Sequence, residues 1–201
     1  NDRIRKILEF PVYFLGALPE DTPALYSLMN YADLKLGTWY PMGGMHEIVK
    51  GMVRVAEQQG ATFHYNHPVE SVIAENNSTE GIQIGKKTFH HDVLVAGADY
   101  HHVDQHLLSP EFRNYDEKYW DKRVMAPSSL IFYLGVDKKL DGLLHHNLFF
   151  DQSFEKFANE IYQSPRWPED PLFYVCCPSK TDPSVAPAGK ENLFVLVPVA
   201  P

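Results

Sequence analysis

The sequence predicts a mixed α/β fold divided between two lobes, and three observations predict it. VLVAGA at 93–98 is continuously apolar, as expected of a strand buried on both faces in a parallel sheet. GTWYPMGGMHEIVKGMVRVAEQQG at 37–60 leads an aromatic-proline segment through a glycine pair into an amphipathic helix, with a hairpin pattern directly after it. From about 123 onward four apolar strand patterns surround one helical pattern, which predicts a mixed sheet. The breaks in pattern divide the chain at 1–45, 46–99 and 100–201.

Composition narrows the function classes. At 201 residues, 44% apolar and 22% charged, the chain is an ordinary globular sequence with enough length for a real core. A net charge of -8 excludes the concentrated basic face that nucleic acid requires. The basic clusters Arg3, Arg5, Lys6 and Lys138, Lys139 fit solvated faces. Cys176 and Cys177 are adjacent, a poor geometry for a disulfide, so we expect a reducing compartment and two small buried residues in a strand. No apolar run has the length of a membrane span, and no signal-peptide pattern opens the chain. The chain starts without Met and stops inside NLFVLVPVAP, which leads us to expect an internal piece of a longer protein.

Taken in order, Ile4, Ile7 and Leu8 recur at helical spacing and predict a short helix over 2–10. FPVYFLGALPEDTP at 10–23 is apolar and then turn-rich. Thr22 and Pro23 have the form of a cap and first helical position for ALYSLMNYADLKL, which Gly37 ends. Ile48, Val49, Met52, Val53 and Ala56 form one apolar stripe, Glu47 suits the positive end of the helix dipole, and Gly60 fits the C-terminal cap. The stretch 61–76 is extended and broken at Pro68. Asn76, Asn77 and Ser78 signal a turn, and 79–92 returns as strands. Residues 99–123 are helical and polar-aromatic, divided at Ser109-Pro110. SSLIFYLGVDKK and LLHHNLFF are strands, FEKFANEIYQ a helix starting near Asp151 or Ser153, and LFYVCCPS and NLFVLVPV two further strands.

Several groups are candidates for chemistry. Gly43 and Gly44 lack Cβ atoms at a helix start, so either a ligand approaches the backbone there or a tight turn requires positive φ. Asp99 ends the apolar run at 93–98, where ligands bind in open α/β sheets, and it also suits the N-cap of the following helix. His102 and His106 share a helix face, but no third ligand, HExxH or cysteine spacing accompanies them. His90-His91 and His145-His146 are isolated doublets, and we expect no metal. GxSxG, GxGxxG and GxxxxGK[ST] are all absent from these residues.

YPMGGMHEIVKGMVRVAEQQGATFHYNHPVESV resembles the segment of carotenoid desaturases (phytoene dehydrogenases) in which a proline and two glycines open a helix. VLVAGAD is similar to that family's VVSNADP strand end, and SSLIFYLGVDKKLDGLLHHNLFF to its paired strands with a histidine doublet. EDPLFYVCCPSKTDPSVAPAGKENLFVLVPV resembles its DPslYv…DPslAPpG stretch. The resemblance covers nearly the whole chain. It implies an FAD flavoprotein of the amine-oxidase type with a Rossmann-like cofactor lobe and a mixed-sheet substrate lobe. Residues 1–45 and 100–201 would then belong to the substrate lobe, and 46–99 would be lent to the FAD lobe.

Carried over by position, the backbone around Val69 would meet the adenine end of FAD, and Ala98 and Asp99 would lie near the cofactor. Tyr40, Pro41, Gly43 and Gly44 would sit between flavin and substrate. The implied activity is desaturation of a carotenoid precursor such as phytoene, with flavin as hydrogen acceptor. A carotenoid isomerase, another amine-oxidase-like flavoprotein, or a polyene- or lipid-binding module without redox activity are the alternatives. Gly97-Ala98-Asp99-Tyr100 replaces the family's Asn-Ala-Asp-Pro, and Met42 and Met45 flank the glycines, which keeps that site apolar. The segments that hold most of the cofactor fall outside these residues, so the chain alone is expected not to retain FAD. The expected setting is cytoplasmic, with peripheral membrane contact for a hydrocarbon substrate.

Overall fold

The computed structural model describes residues 1–13, 17–150 and 153–201. The chain forms two compact units, Asn1–Gln59 with Met125–Pro201, and Gly60–Val124. Helices and two sheets are intermixed, in keeping with the α/β expectation.

The first unit is built on a four-stranded sheet of β4 (Ser128–Val136), β5 (His146–Phe149), β6 (Phe173–Cys176) and β7 (Glu191–Val199), in the spatial order β4-β7-β6-β5. The expected mixed sheet is corrected here, because every pair is antiparallel. β7 runs against β4 from Ser128↔Val199 to Val136↔Glu191, and against β6 at Tyr174↔Leu196. Parallel neighbours need a crossover that returns to the starting end of the sheet. The β5–β6 connection instead brings the chain back alongside itself, with His146 opposite Cys176.

That connection carries α6 (Phe154–Ala158), which continues as a wider turn over Asn159–Gln163. Ser153 Oγ caps it by accepting the Lys156 N–H at 3.2 Å; Asp151, the other expected start, lies outside the described residues. Phe157 and Ile161, four residues apart, face the same way and bury against Leu172, with Phe150, Phe154 and Tyr162 around them. Beneath the loop after β6, Glu191 is almost fully buried. It pairs with Lys180 Nζ at 2.8 Å and Lys139 Nζ at 3.6 Å, and accepts the Ser179 hydroxyl. The Lys180 contact first, and the Ser179 hydroxyl next, hold its carboxyl down at about 2.

Upstream, α1 (Asp2–Tyr13) runs through Pro11 and leaves Ile4, Ile7 and Leu8 exposed. Residues 14–16 of the apolar, turn-rich stretch lie outside the described residues. Thr22 does not cap the next helix: its hydroxyl donates back to the Leu18 carbonyl at 2.7 Å, and Pro23 precedes a tight turn over Ala24–Ser27. α2 (Leu28–Tyr31) follows and widens over Ala32–Leu36, and Gly37 ends it at φ 81°. α3 (His46–Gln58) forms as the periodicity predicts and closes at Gly60, φ 91°.

The second unit begins with a meander of β1 (Ser71–Glu75), β2 (Ser78–Ile84) and β3 (Lys87–His90). Asn76 and Asn77, at φ 50° and 61°, make the two-residue turn that matches the twist of paired strands. Residues 93–98 do not form the expected buried strand. None of the described strands pairs with them, and Val93 and Val95 are 77% and 87% exposed. A buried strand needs hydrogen-bonding neighbours on both edges. The downstream helices α4 (Tyr100–His102), capped by Asp99, and α5 (Glu117–Trp120), capped by Asp116, enclose Asp104. That buried carboxylate accepts the Asn114 N–H at 2.8 Å, Gln105 Nε2 at 2.7 Å and Trp120 Nε1 at 3.4 Å.

Two stability outcomes follow from this arrangement. Asn77→Val forces a β-branched residue into the left-handed region and is expected to cost about 1–3 kcal/mol, read as a lower urea midpoint, while Asn77→Gly should be close to neutral. The lowered Glu191 carboxyl stabilises the fold above its unfolded value of about 4.3, and that stability is lost as pH falls toward 2. Urea midpoints measured between about pH 5 and 2 should therefore fall less steeply in Glu191→Gln than in the parent.

Candidate functional site

Thr38 to Pro41, outside any helix or strand, lead into a turn closed by Gly44 N–H on the Pro41 carbonyl at 3.1 Å. Gly43, third in that turn, has φ 93°, the geometry that makes glycine the favoured residue of a type II turn. Gly44 follows at φ 101°, and its carbonyl accepts the Glu47 N–H at 3.0 Å as α3 begins. The turn is fastened from the far end of the chain. Gly43 N–H donates to Asp182 Oδ2 at 2.5 Å, and Asp182 is 1% exposed. Its Oδ1 accepts the Ser184 N–H at 2.9 Å and the Ser184 hydroxyl at 2.6 Å.

With both glycine N–H groups donated internally, the turn presents a bare Cα rather than an anion cradle. At Gly44 the position of a Cβ has only Val185 Cγ1 at 3.8 Å and Tyr40 Oη at 3.9 Å as neighbours. It opens on a cleft of about 800 Å³ whose walls include Trp39, Tyr40, His145, Tyr174 and Phe194. Tyr40 meets the His145 ring edge-on at 4.9 Å.

The cleft is electrically quiet. Burial first, then the Asp182 charge, pushes the Tyr40 phenol up, and burial does the same to Tyr174. Burial followed by the neighbouring His146 lowers His145, while burial raises the Cys176 thiol. At neutral pH these four walls carry protonated phenols, a neutral imidazole and a protonated thiol, a lining suited to a hydrocarbon. A second, smaller apolar cavity of about 160 Å³ lies over the sheet beneath Phe10, Phe150, Phe154 and Tyr162. The aromatic content of 130–175 thus forms both core and cavity.

Tyr40, Pro41, Gly43 and Gly44 come together in one turn of the first unit. Val69, Ala98 and Asp99 belong to the second. Val69 is half-buried on a cleft with Ile82, Phe89 and Leu94. Ala98 and Asp99 are exposed, and Asp99 Oδ1 accepts the His102 N–H at 2.8 Å as the expected cap. No helix among the described residues is long and apolar enough to cross a membrane. Asp182, Tyr174 and the cleft-facing roles of His145, His146 and Cys176 went unread in the sequence. Only the pairing of His146 with Cys176 and the return of the 178–191 loop assemble them.

The model of flavin-containing amine oxidoreductases matches residues 2–201, and the chain belongs to that family. It is 40% identical over 201 residues to a carotenoid 3,4-desaturase from Haloarcula japonica, covering all of this chain and 41% of that protein. A zeta-carotene-forming phytoene desaturase from Myxococcus xanthus is 35% identical over 200 residues, covering 99% of this chain and 38% of its own length. A phytoene desaturase from Neurospora crassa is 31% identical over 209 residues, covering 99% and 35%. The chain spans about two fifths of the length of these relatives.

Removing the fastening should free the turn without melting the helix behind it. In Asp182→Ala, hydrogen exchange at the Gly43 amide is expected to accelerate toward the rate of an open loop, while amides at the centre of α3 keep their protection.

Proposed function

We propose that this chain is part of an FAD-dependent enzyme that desaturates a carotenoid precursor such as phytoene. The observation that carries the reading is the uncharged aromatic cleft beside Gly44, bounded by a turn whose glycine leaves room for a flat ring or a polyene. Family membership supports the flavin, and the desaturases among its relatives support the substrate class.

In this reading two hydrogens leave adjacent carbons of the polyene and a double bond forms between them. A flavin held there would supply the hydrogen acceptor. Tyr40 and Pro41 would shape the substrate side, Gly44 would let flavin and substrate approach the backbone, and Gly43, held by Asp182, supplies the positive φ of the turn. The lining beside Gly44 is largely aromatic and apolar, which suits an extended hydrocarbon. The backbone at Val69 would hold the adenine end of the cofactor, with Ala98 and Asp99 beside it. Residues 46–99 serve the FAD lobe, and 1–45 and 100–201 the substrate lobe. The exposed residues Val93 and Val95 and the exposed apolar side chains of β4 would be covered by the remainder of such a protein. Ile4, Ile7 and Leu8, exposed on α1, support peripheral contact with the bilayer that would hold the substrate, on the cytoplasmic side.

The test is conversion of phytoene in a reporter host by the complete protein. Gly44→Val places a branched side chain at φ 101° in the cleft and should lower desaturated product by roughly tenfold or more. Unchanged product at equal protein level would overturn the site. A complete protein that purifies without flavin absorbance would overturn the redox reading itself.

A further inference from the structure

We propose that His145, His146 and Cys176 form a binding site for a zinc-class divalent ion on the wall of the cleft. The inference stands independently of the flavin reading. One ring nitrogen from each histidine and the Cys176 sulfur lie within 4.8 Å of one another, the sole such cluster of three or more among the described residues.

The fold explains why they meet. His146 on β5 lies directly opposite Cys176 on β6, so both side chains leave the same face of the sheet. His145 precedes β5, where strand alternation does not yet bind it. The hydrogen bond from Cys177 N–H to its carbonyl, 2.8 Å, fixes its backbone, and its ring lies 4.4 Å from that of His146.

Each imidazole is also aimed. His145 Nδ1 is 2.7 Å from Thr181 Oγ1, and His146 Nδ1 is 2.6 Å from the Tyr174 hydroxyl. Metal-ligating histidines characteristically have one ring nitrogen held by such an outer partner, which fixes the ring and leaves the second nitrogen for the ion. Two imidazoles and a thiolate make a borderline-soft donor set that suits zinc over magnesium or calcium. A tetrahedral zinc spaces its ligand atoms about 3.5 Å apart, so small side-chain rotations close the cluster. Three protein ligands leave the fourth position open toward the cleft, for water. On binding, the Cys176 thiol gives its proton to solvent and its sulfur bonds the metal.

Cobalt(II) is the probe, titrated into the complete protein after chelator treatment. The expected result is the thiolate-to-cobalt charge-transfer band together with the strong visible bands of a tetrahedral ion, both abolished by added zinc. Cys176→Ser should remove the charge-transfer band. His146→Ala should weaken cobalt binding at least tenfold, and Tyr174→Phe, which removes the hydroxyl held against both His146 and Cys176, by about 10–100-fold. Cys177→Ala, which removes the adjacent buried thiol, should leave the band in place. Circular dichroism of each variant verifies that it is folded. Absence of a charge-transfer band at saturating cobalt overturns the proposal, as does a band that survives Cys176→Ser or disappears in folded Cys177→Ala.

Discussion

The bond between the Gly43 N–H and the buried carboxylate of Asp182 joins segments 139 residues apart, and the cleft depends on it. A carboxylate out of water must have its oxygens satisfied, and Asp182 satisfies them with two backbone N–H groups and one hydroxyl. That requirement holds the Pro41–Gly44 turn against the 178–191 loop. The loop is itself anchored by Glu191, whose charge is matched by Lys180 and Lys139 and which also accepts from the Ser179 hydroxyl and the Cys177 thiol. Two buried carboxylates in series thus set where Gly44 faces. Neither touches the open side of the cleft, and each acts by placing backbone.

The cleft joins this charged scaffold to an uncharged interior. Asp182 lies close enough to raise the Tyr40 phenol, yet its oxygens are committed elsewhere. Burial keeps Tyr174 and Cys176 protonated and His145 neutral. The same burial that suits a hydrocarbon also brings nitrogen and sulfur donors side by side, so one wall offers two kinds of chemistry.

Apolar surface is distributed unevenly. The Phe157, Ile161, Leu172 cluster is well buried, whereas α3 has no buried residue and its stripe residues Ile48, Val49 and Met52 are 48–68% exposed. β4 likewise leaves Leu130, Ile131, Phe132 and Leu134 open. Burial of such surface is the main favourable term in folding, and an amphipathic stripe is a face made to be covered. In the functional reading above, these faces are where the rest of a larger flavoprotein would pack.

Local signals were legible where a single backbone rule decides the outcome. The helix over 46–58, its glycine end, the Asn76-Asn77 turn, the Asp99 cap and the strands at 128–136, 146–149, 173–176 and 191–199 all follow from periodicity, positive φ or capping. The family was legible too, because its motifs are contiguous. Sheet direction was not, since an apolar run states that a strand is wanted but not which neighbour it finds. VLVAGA shows the same limit: its composition asks for two neighbours, and among the described residues it has none. Asp182 on Gly43, Thr22 turned back to Leu18, and the two histidines gathered beside Cys176 are contacts between segments that sequence spacing does not relate. The sequence by itself determined which pieces form and to which family they belong. Only the tertiary structure decided which carboxylate holds the glycine turn and which side chains share its cleft, because those contacts arise when strands and loops far apart in the chain close on one another.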